Sequence, residues 1–238
     1  MKIAITGGSG FIGKYLIDAL IESNYKVNVL SRLEKKSSDI NINWFKGDLT
    51  DRNSLKDFLK GCDLVCNCAG EISNSNNFKN SNFLGVKILH EVCEEQGVDI
   101  FIQLSSAGIY KIPSKGLINE NSEIFASNEY ERSKIDAEKW LFEQNKMQII
   151  ILRPTTVYGV DMPNQSLKSL FFSILNKKFF FIGNSKSMSC YISVENVVQA
   201  ILKVINSKSR SNELGSCEAY NLSHDIHYKD FISFSADA

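Results

Sequence analysis

Lys2-Ile3-Ala4-Ile5-Thr6-Gly7-Gly8-Ser9-Gly10-Phe11-Ile12-Gly13 is the stretch whose reading decides the fold. Lys2 to Thr6 is a short apolar run of the kind a buried parallel strand shows. The glycines follow at once. From Phe11 the apolar residues change to helical spacing, at Phe11, Ile12, Tyr15, Leu16, Ala19 and Leu20. The order is therefore strand, glycine-rich turn, helix. Gly8, Gly10 and Gly13 satisfy Gly-x-Gly-x-x-Gly, and Thr6, Gly7, Gly10 and Gly13 satisfy Thr-Gly-x-x-Gly-x-x-Gly. An early glycine lets the chain turn tightly, Gly10 lets backbone N–H groups approach a pyrophosphate, and Gly13 lets the helix pack on the strand. The unpaired amides at the helix start then face the anion. Gly7, Gly10, Phe11, Ile12 and Gly13 are thus the expected dinucleotide cradle.

Working outward, Lys26 to Leu30 reads as a second strand, followed by Ser31-Arg32 where such a fold selects its cofactor. An acid there would accept from the adenosine ribose and favour NAD, whereas an arginine suits the 2′-phosphate of NADP. Arg32, with Lys35 and Lys36 just beyond, tilts the choice towards NADP and leaves NAD open. Strands are expected at 43–46, 63–67, 99–104 and 147–152. Helices are expected around Leu55 to Leu59, at 83–96 and from Ser127 or Asn128 to about Asn145, with Ser73 to Asn82 a loop or helix entry. Alternation at this rhythm means a parallel sheet with helices on both faces. The fold class is α/β, a Rossmann-type doubly wound parallel sheet with a small C-terminal substrate-binding appendage. Residues 1–154 form the NAD(P)-binding domain and 155–238 a short substrate-binding region. In the latter, helices are expected near 166–176 and 194–205, and strands near 179–182, 190–192 and 220–222. His224 to Ala238 reads as the start of a helix.

The bulk numbers exclude several classes. Net charge is zero, with 27 Lys and Arg scattered along 238 residues, so no basic footprint for nucleic acid or an anionic membrane is present. No run approaches the ~20 apolar residues of a membrane span, and the first apolar run is broken too early for a signal peptide. A cytoplasmic location is expected. The six cysteines contain no Cys-x-x-Cys and lie mostly in apolar stretches, which suits reduced core residues and gives no metal site. His90 lies in the apolar stripe of its helix and reads as a packed histidine.

Tyr130-x-x-x-Lys134 places a phenol and an ammonium one helical turn apart. With eight tyrosines and many lysines, about one such pair arises by accident. Ser106 raises its value, because it ends the fifth strand beside the expected start of that helix. A free phenol titrates near 10, so acid–base work at neutral pH needs a fall of ~3 units, or ~4 kcal/mol. Lys134 and an oxidised nicotinamide would both favour the phenolate. Ser106, Tyr130 and Lys134 are the candidate catalytic residues.

With those residues assembled, the chain resembles an extended short-chain dehydrogenase/reductase of the NAD-dependent epimerase/dehydratase family. The segments that carry the resemblance are 6–13, 47–51, 67–70, Asn82 with Gly85, 104–110, 130–134 and 152–159, in the family's order. The resemblance implies that Asp48 and Leu49 meet the adenine and that Ala69 and Gly70 line the cofactor. It also implies that Tyr130 and Lys134 touch the cofactor as well as the substrate. It implies a small-molecule sugar-nucleotide substrate, taken through 4-epimerisation, 4,6-dehydration or keto-sugar reduction, and a homodimer built on the two long helices. Three positions depart from the family pattern. Thr156 replaces an Asn, Ser189 replaces the Arg that grips the diphosphate, and Asn196 replaces an Asp. The resemblance also implies a longer carboxyl-terminal region than the stretch to Ala238 supplies. Two other readings stay open on those grounds: a cofactor-binding protein with little turnover, and a reductase of a non-nucleotide carbonyl.

Overall fold

The first strand, β1 (Lys2–Thr6), is buried from Ile3 to Thr6 because helices cover both its faces. Its alternation divides the core in two: Ala4 belongs to one apolar cluster, Ile3 and Ile5 to the other. The computed structural model describes residues 1–111, 116–180, 187–208 and 215–237. Around β1 lie β2 (Lys26–Ser31), β3 (Ile42–Lys46), β4 (Leu64–Asn67), β5 (Ile100–Leu104), β6 (Gln148–Pro154) and β9 (Cys217–Leu222). Together they form a seven-stranded sheet of order β3-β2-β1-β4-β5-β6-β9, every pair parallel. The change of direction beside β1 creates the crevice at the strand ends where such sheets bind ligands.

One face is covered by α2 (Arg52–Leu59), α4 (Gly85–Gln96) and α5 (Glu129–Phe142), through Leu55, Phe58, Leu89, Cys93, Ala137 and Leu141. The other is covered by α1 (Phe11–Glu22) and α7 (Val194–Lys208), through Leu16, Leu20, Val197 and Ile201. His90 is packed as expected, fully buried between Phe101 and Trp140.

The segment expected as a loop or helix entry is a helix entry: Ser73 and Asn74 are irregular and the chain is helical from Ser75. A short helix α3 (Ser75–Phe78) runs into a π-helical turn (Lys79–Leu84) and on into α4. The wide turn inserts an extra residue and carries the Asn82 side chain into the protein, where it is fully buried. Glycine at 85 then lets the rod lie on Leu49; a Cβ there would stand 2.9 Å from the Leu49 Cβ.

A second, three-stranded sheet of order β10-β8-β7 is built from β7 (Thr156–Tyr158), β8 (Met188–Ser193) and β10 (His224–His227). With α6 (Gln165–Leu175) and α8 (Tyr228–Asp237) it encloses Met162, Leu167, Ile174, Phe231 and Ile232. Phe231 stacks on Tyr191 at 4.5 Å. The boundary expected at 154 marks where the chain first leaves the main sheet, but the chain later returns to it. Val194 to Lys208 packs beside α1, and Cys217 to Leu222 pairs with β6. The run from His224 opens as strand β10 before turning helical. Of the strand expected at 179–182, Phe179 and Phe180 are irregular and 181–182 lie outside the described residues.

Candidate active site

Thr6, Gly7, Ser9 and Gly10 form one wall of a cleft of about 650 Å³ at the carboxyl ends of the strands. Leu30 to Leu33, Lys35, Gly47 to Thr50 and Cys68 to Glu71 complete the lining, with Asn77, Asn80 and Ser81 of the α3–π rod. Gly7, Gly10, Arg32, Asp48, Leu49, Ala69 and Gly70 thus gather in one cavity. Phe11, Ile12 and Gly13 make the first turn of α1, behind the loop.

The loop is built for close approach. Gly7 has φ +68°, a left-handed conformation that favours glycine. A Cβ on Gly13 would stand 2.2 Å from the Gly7 carbonyl oxygen, so helix and loop touch backbone to backbone. Gly10, the N-cap of α1, supplies no side-chain cap to the first-turn amides, and that turn carries no acid. These amides and a glycine-walled cleft suit a pyrophosphate and its nucleoside, so the residues present fit NAD or NADP.

At the adenosine end Lys35 Nζ donates to Ser9 Oγ at 2.7 Å and lies 4.7 Å from the centre of the Trp44 ring. It bridges the loop after β2 to the glycine loop. Across the cleft the Glu71 carboxylate accepts from the amides of Ile72, Ser73 and Asn74 at 2.8–3.0 Å. Those backbone hydrogen bonds, with Arg32 nearby, hold it below the usual carboxylate range. Asn82 fixes this strap to α5: its Oδ1 accepts from the Glu71 amide at 2.8 Å, and its Nδ2 donates to the Glu71 carbonyl and to Ser133 Oγ. Lys35 reads in sequence only as one of the charges that favour NADP, Asn82 only as part of a motif, and Glu71 has no assignment. The partners of Lys35 and Asn82 are distant in the chain and leave no local signal, whereas Glu71 turns back onto its own neighbours.

The three acid–base candidates are not part of the cleft lining; they connect to it through Lys134, which approaches Gly70. The side chain of Asn128 caps α5 by accepting from the Glu131 amide, and Glu131 reciprocates to the Ser127 amide. This sets the helix start at Glu129, one residue before Tyr130. Lys134 is buried, with Nζ donating to the Leu104 carbonyl at 3.2 Å and lying 3.3 Å from where a Gly70 Cβ would be. The Tyr130 ring packs edge-on against Phe78. Burial brings Lys134 down to about 8, against the opposing pull of Glu138.

The Tyr130 phenol is raised, because burial outweighs the interaction with Ser106; the fall expected from sequence also needs the charge of an oxidised nicotinamide. The Lys134 ammonium is turned to the Leu104 carbonyl and lies 5.9 Å from the tyrosine ring centre.

Beneath them lies a buried ion pair. Arg153, at the end of β6, donates through Nε to both oxygens of Glu138 at 3.1 Å and through Nη2 to Oε2 at 2.5 Å. Its Nη1 donates to the Tyr110 hydroxyl at 2.6 Å and to the Glu120 carbonyl at 3.3 Å. Ser189 is buried, with its hydroxyl donating to the Ile226 carbonyl of β10 at 3.0 Å. All six cysteines are free thiols, no cluster suited to a metal exists among the described residues, and no helix there is long and apolar enough to cross a membrane.

The sequence model of the NAD dependent epimerase/dehydratase family matches residues 3–223. The chain belongs to this family. Among its relatives is the human sterol-4-alpha-carboxylate 3-dehydrogenase, decarboxylating, 30% identical, with 98% of this chain and 65% of that protein covered. Another is the dTDP-D-glucose 4,6-dehydratase of Dictyostelium discoideum, 28% identical, with coverages of 94% and 58%. This member of the epimerase/dehydratase family thus spans about two thirds or less of the length of those relatives. Its fold is shared with UDP-glucuronic acid 4-epimerase from Bacillus cereus in complex with NAD, at a TM-score of 0.81 and 22% identity, covering 100% of this chain and 83% of that one.

Proposed function

We propose that the chain is an NAD(P)-dependent oxidoreductase or epimerase that works on a carbon–oxygen bond of a nucleotide-activated sugar. The observation that carries this reading is the approach of the Lys134 ammonium to Gly70 of the glycine-walled cleft, with Tyr130 one helical turn away and interacting with Ser106. Bound NAD(P) supplies a hydride donor or acceptor at the nicotinamide. Gly7, Gly10, Phe11, Ile12 and Gly13 hold its pyrophosphate, Asp48 and Leu49 its adenine, and Ala69 and Gly70 its inner half. Ser106 orients the substrate oxygen by a hydrogen bond while Tyr130 passes a proton to or from that oxygen. Lys134 binds the ribose hydroxyls and, once freed from the Leu104 carbonyl, favours the phenolate. Arg32 and Lys35 give NADP the advantage over NAD. The region beyond residue 154 supplies the substrate contacts, and the chain pairs as a homodimer through α4 and α5. The free thiols are in keeping with the reducing cytoplasm.

A second reading, an enzyme of a non-nucleotide alcohol or carbonyl compound, is favoured by Ser189. Its hydroxyl is buried and committed to Ile226, leaving no charge there for a diphosphate. Lys168, Lys177 and Lys178 lie on exposed or partly exposed surface of the substrate half, and Lys186 lies outside the described residues. Calorimetry on the cofactor-loaded protein separates the two. Low-micromolar binding of a UDP- or dTDP-sugar supports the first, and no binding supports the second. In either case Tyr130→Phe abolishes turnover and leaves cofactor affinity nearly unchanged; retained turnover would refute the assigned chemistry.

A further inference from the structure

The Glu138–Arg153 pair is absorbed by none of the roles above, yet it is among the most deeply buried charge on the molecule, with side chains 2% and 4% exposed. Two ions are costly to bury, and a pair of this kind contributes little net stability over apolar packing. Its position is more informative. Glu138 lies one helical turn beyond Lys134 on the inward face of α5, as Lys134 lies one turn beyond Tyr130. Arg153 is followed by Pro154, where β6 ends beside the cleft. The guanidinium reaches Tyr110, which follows β5 and Ser106, and the backbone of Glu120. The Tyr110 hydroxyl also donates to Asn221 of β9 at 2.8 Å, and the Asn221 amide donates to the Glu120 carboxylate at 2.8 Å. One side-chain network therefore joins α5, the ends of β5, β6 and β9, and the segment around Glu120.

We propose that Glu138 and Arg153 are positioning residues for the acid–base site: the pair clamps α5 to the strand ends and presents a fixed carboxylate one turn behind Lys134. The other groups near Lys134 are the Tyr130 ring on the same helix, the Leu104 carbonyl at the end of β5 and the Cys68 thiol beyond β4, while Asn82 Oδ1 and Lys134 Nζ both flank Gly70. Burial pushes Cys68 up to about 12, so it is neutral at working pH. Around Glu138 stand Arg153, Tyr110 and the Cys217 thiol of β9, which is also pushed up to about 12. Glu138 stands one helical turn from Lys134 on α5, and Arg153 fixes its direction through a two-pronged contact.

The inference rests on the proposed role of Lys134, and its test is independent of that role. Protein labelled with 15N at lysine Nζ, with the Lys134 signal identified by its loss in Lys134→Met, is titrated by NMR without cofactor. The unmodified protein shows a midpoint near pH 8. Glu138→Gln, nearly the same in shape, lowers that midpoint by one pH unit or more, a tenfold change in proton affinity. Arg153→Lys, which keeps the carboxylate and a countercharge, lowers Tm and leaves the midpoint in place. Glu138→Asp draws the charge back by one methylene and lowers the midpoint by less, which supplies a reading if Glu138→Gln does not fold. A loss of Tm with an unmoved midpoint in both Glu138 variants would reduce the pair to a structural brace and overturn the proposal. The role of Lys134 is tested separately by the cofactor affinity of Lys134→Met, which falls if the ammonium holds the ribose.

Discussion

Replacing Gly13 by alanine separates what the glycine loop does for the protein from what it does for the cofactor. The added Cβ would stand 2.2 Å from the Gly7 oxygen and 2.8 Å from both the Gly7 carbonyl carbon and the Gly8 Cα. All three are backbone atoms, so no side chain can swing away and the helix must lift from the loop. Overpacking of this kind costs about 1–3 kcal/mol. At ~2–4 °C per kcal/mol for a chain of this size, Tm falls by ~2–12 °C without cofactor. Gly10→Ala is the counterpart. Its Cβ meets only the Gly7 oxygen, at 3.1 Å, and its φ of −81° suits alanine. The cost there is a poorer N-cap, about 1 kcal/mol or less, but the methyl group fills the space meant for the pyrophosphate. Thermal melts with and without NADP report both effects. Cofactor at 100 times Kd adds about 2.7 kcal/mol to the unmodified protein, or ~5–11 °C. Gly10→Ala loses most of that rise while melting near the unmodified value without cofactor; Gly13→Ala melts lower under both conditions. An unmodified Tm for Gly13→Ala, or a full cofactor-induced rise for Gly10→Ala, would refute the reasoning.

NADPH binds more tightly than NADH, and Arg32→Ala or Lys35→Ala removes about 10- to 100-fold of that preference, the worth of one charge-assisted contact; equal affinities in the unmodified protein refute this. His90 gives the protein an acid sensitivity. Burial holds the ring below its ordinary value, and its nitrogens make no hydrogen bond among the described residues, with Glu94 3.6 Å away. The unfolded chain takes up a proton near pH 6.5 that the folded chain refuses, so this contribution is full above that pH and is lost as pH falls through the folded value. Urea titrations from pH 7 to 5 show the fall, and His90→Leu flattens it; an equal slope in the variant refutes the assignment.

The alternation of a buried parallel sheet was plain in the sequence, because β1 to β6 are local apolar runs punctuated by glycine or capping residues. The i, i+4 spacing of Tyr130 and Lys134 was equally local. The π-helical turn was not, since Phe78 is the one apolar residue from Asn74 to Asn82 and gives no periodicity to follow. Nor did any periodicity show that Cys217 to Leu222 belongs to the main sheet, for its partner lies far back in the chain. Nothing in the sequence marks Glu138, because its partner Arg153 lies on a different element and only their contact makes it a buried charge.

The return of the chain to the main sheet also constrains how the protein forms. Leu152 of β6 pairs with Tyr220 of β9, and the whole of β7, α6, β8 and α7 intervenes. The seventh strand cannot dock until that intervening chain has been made and looped back, so closing the sheet is a long-range and therefore slow event. During synthesis β6 waits as an open edge, with its row of amides and carbonyls available to any stray strand. The parts of the chain before and after residue 154 are consequently not separable modules. A cut after Pro154 would strip β6 of its neighbour and one sheet face of α7, and the fragment would aggregate rather than bind dinucleotide alone.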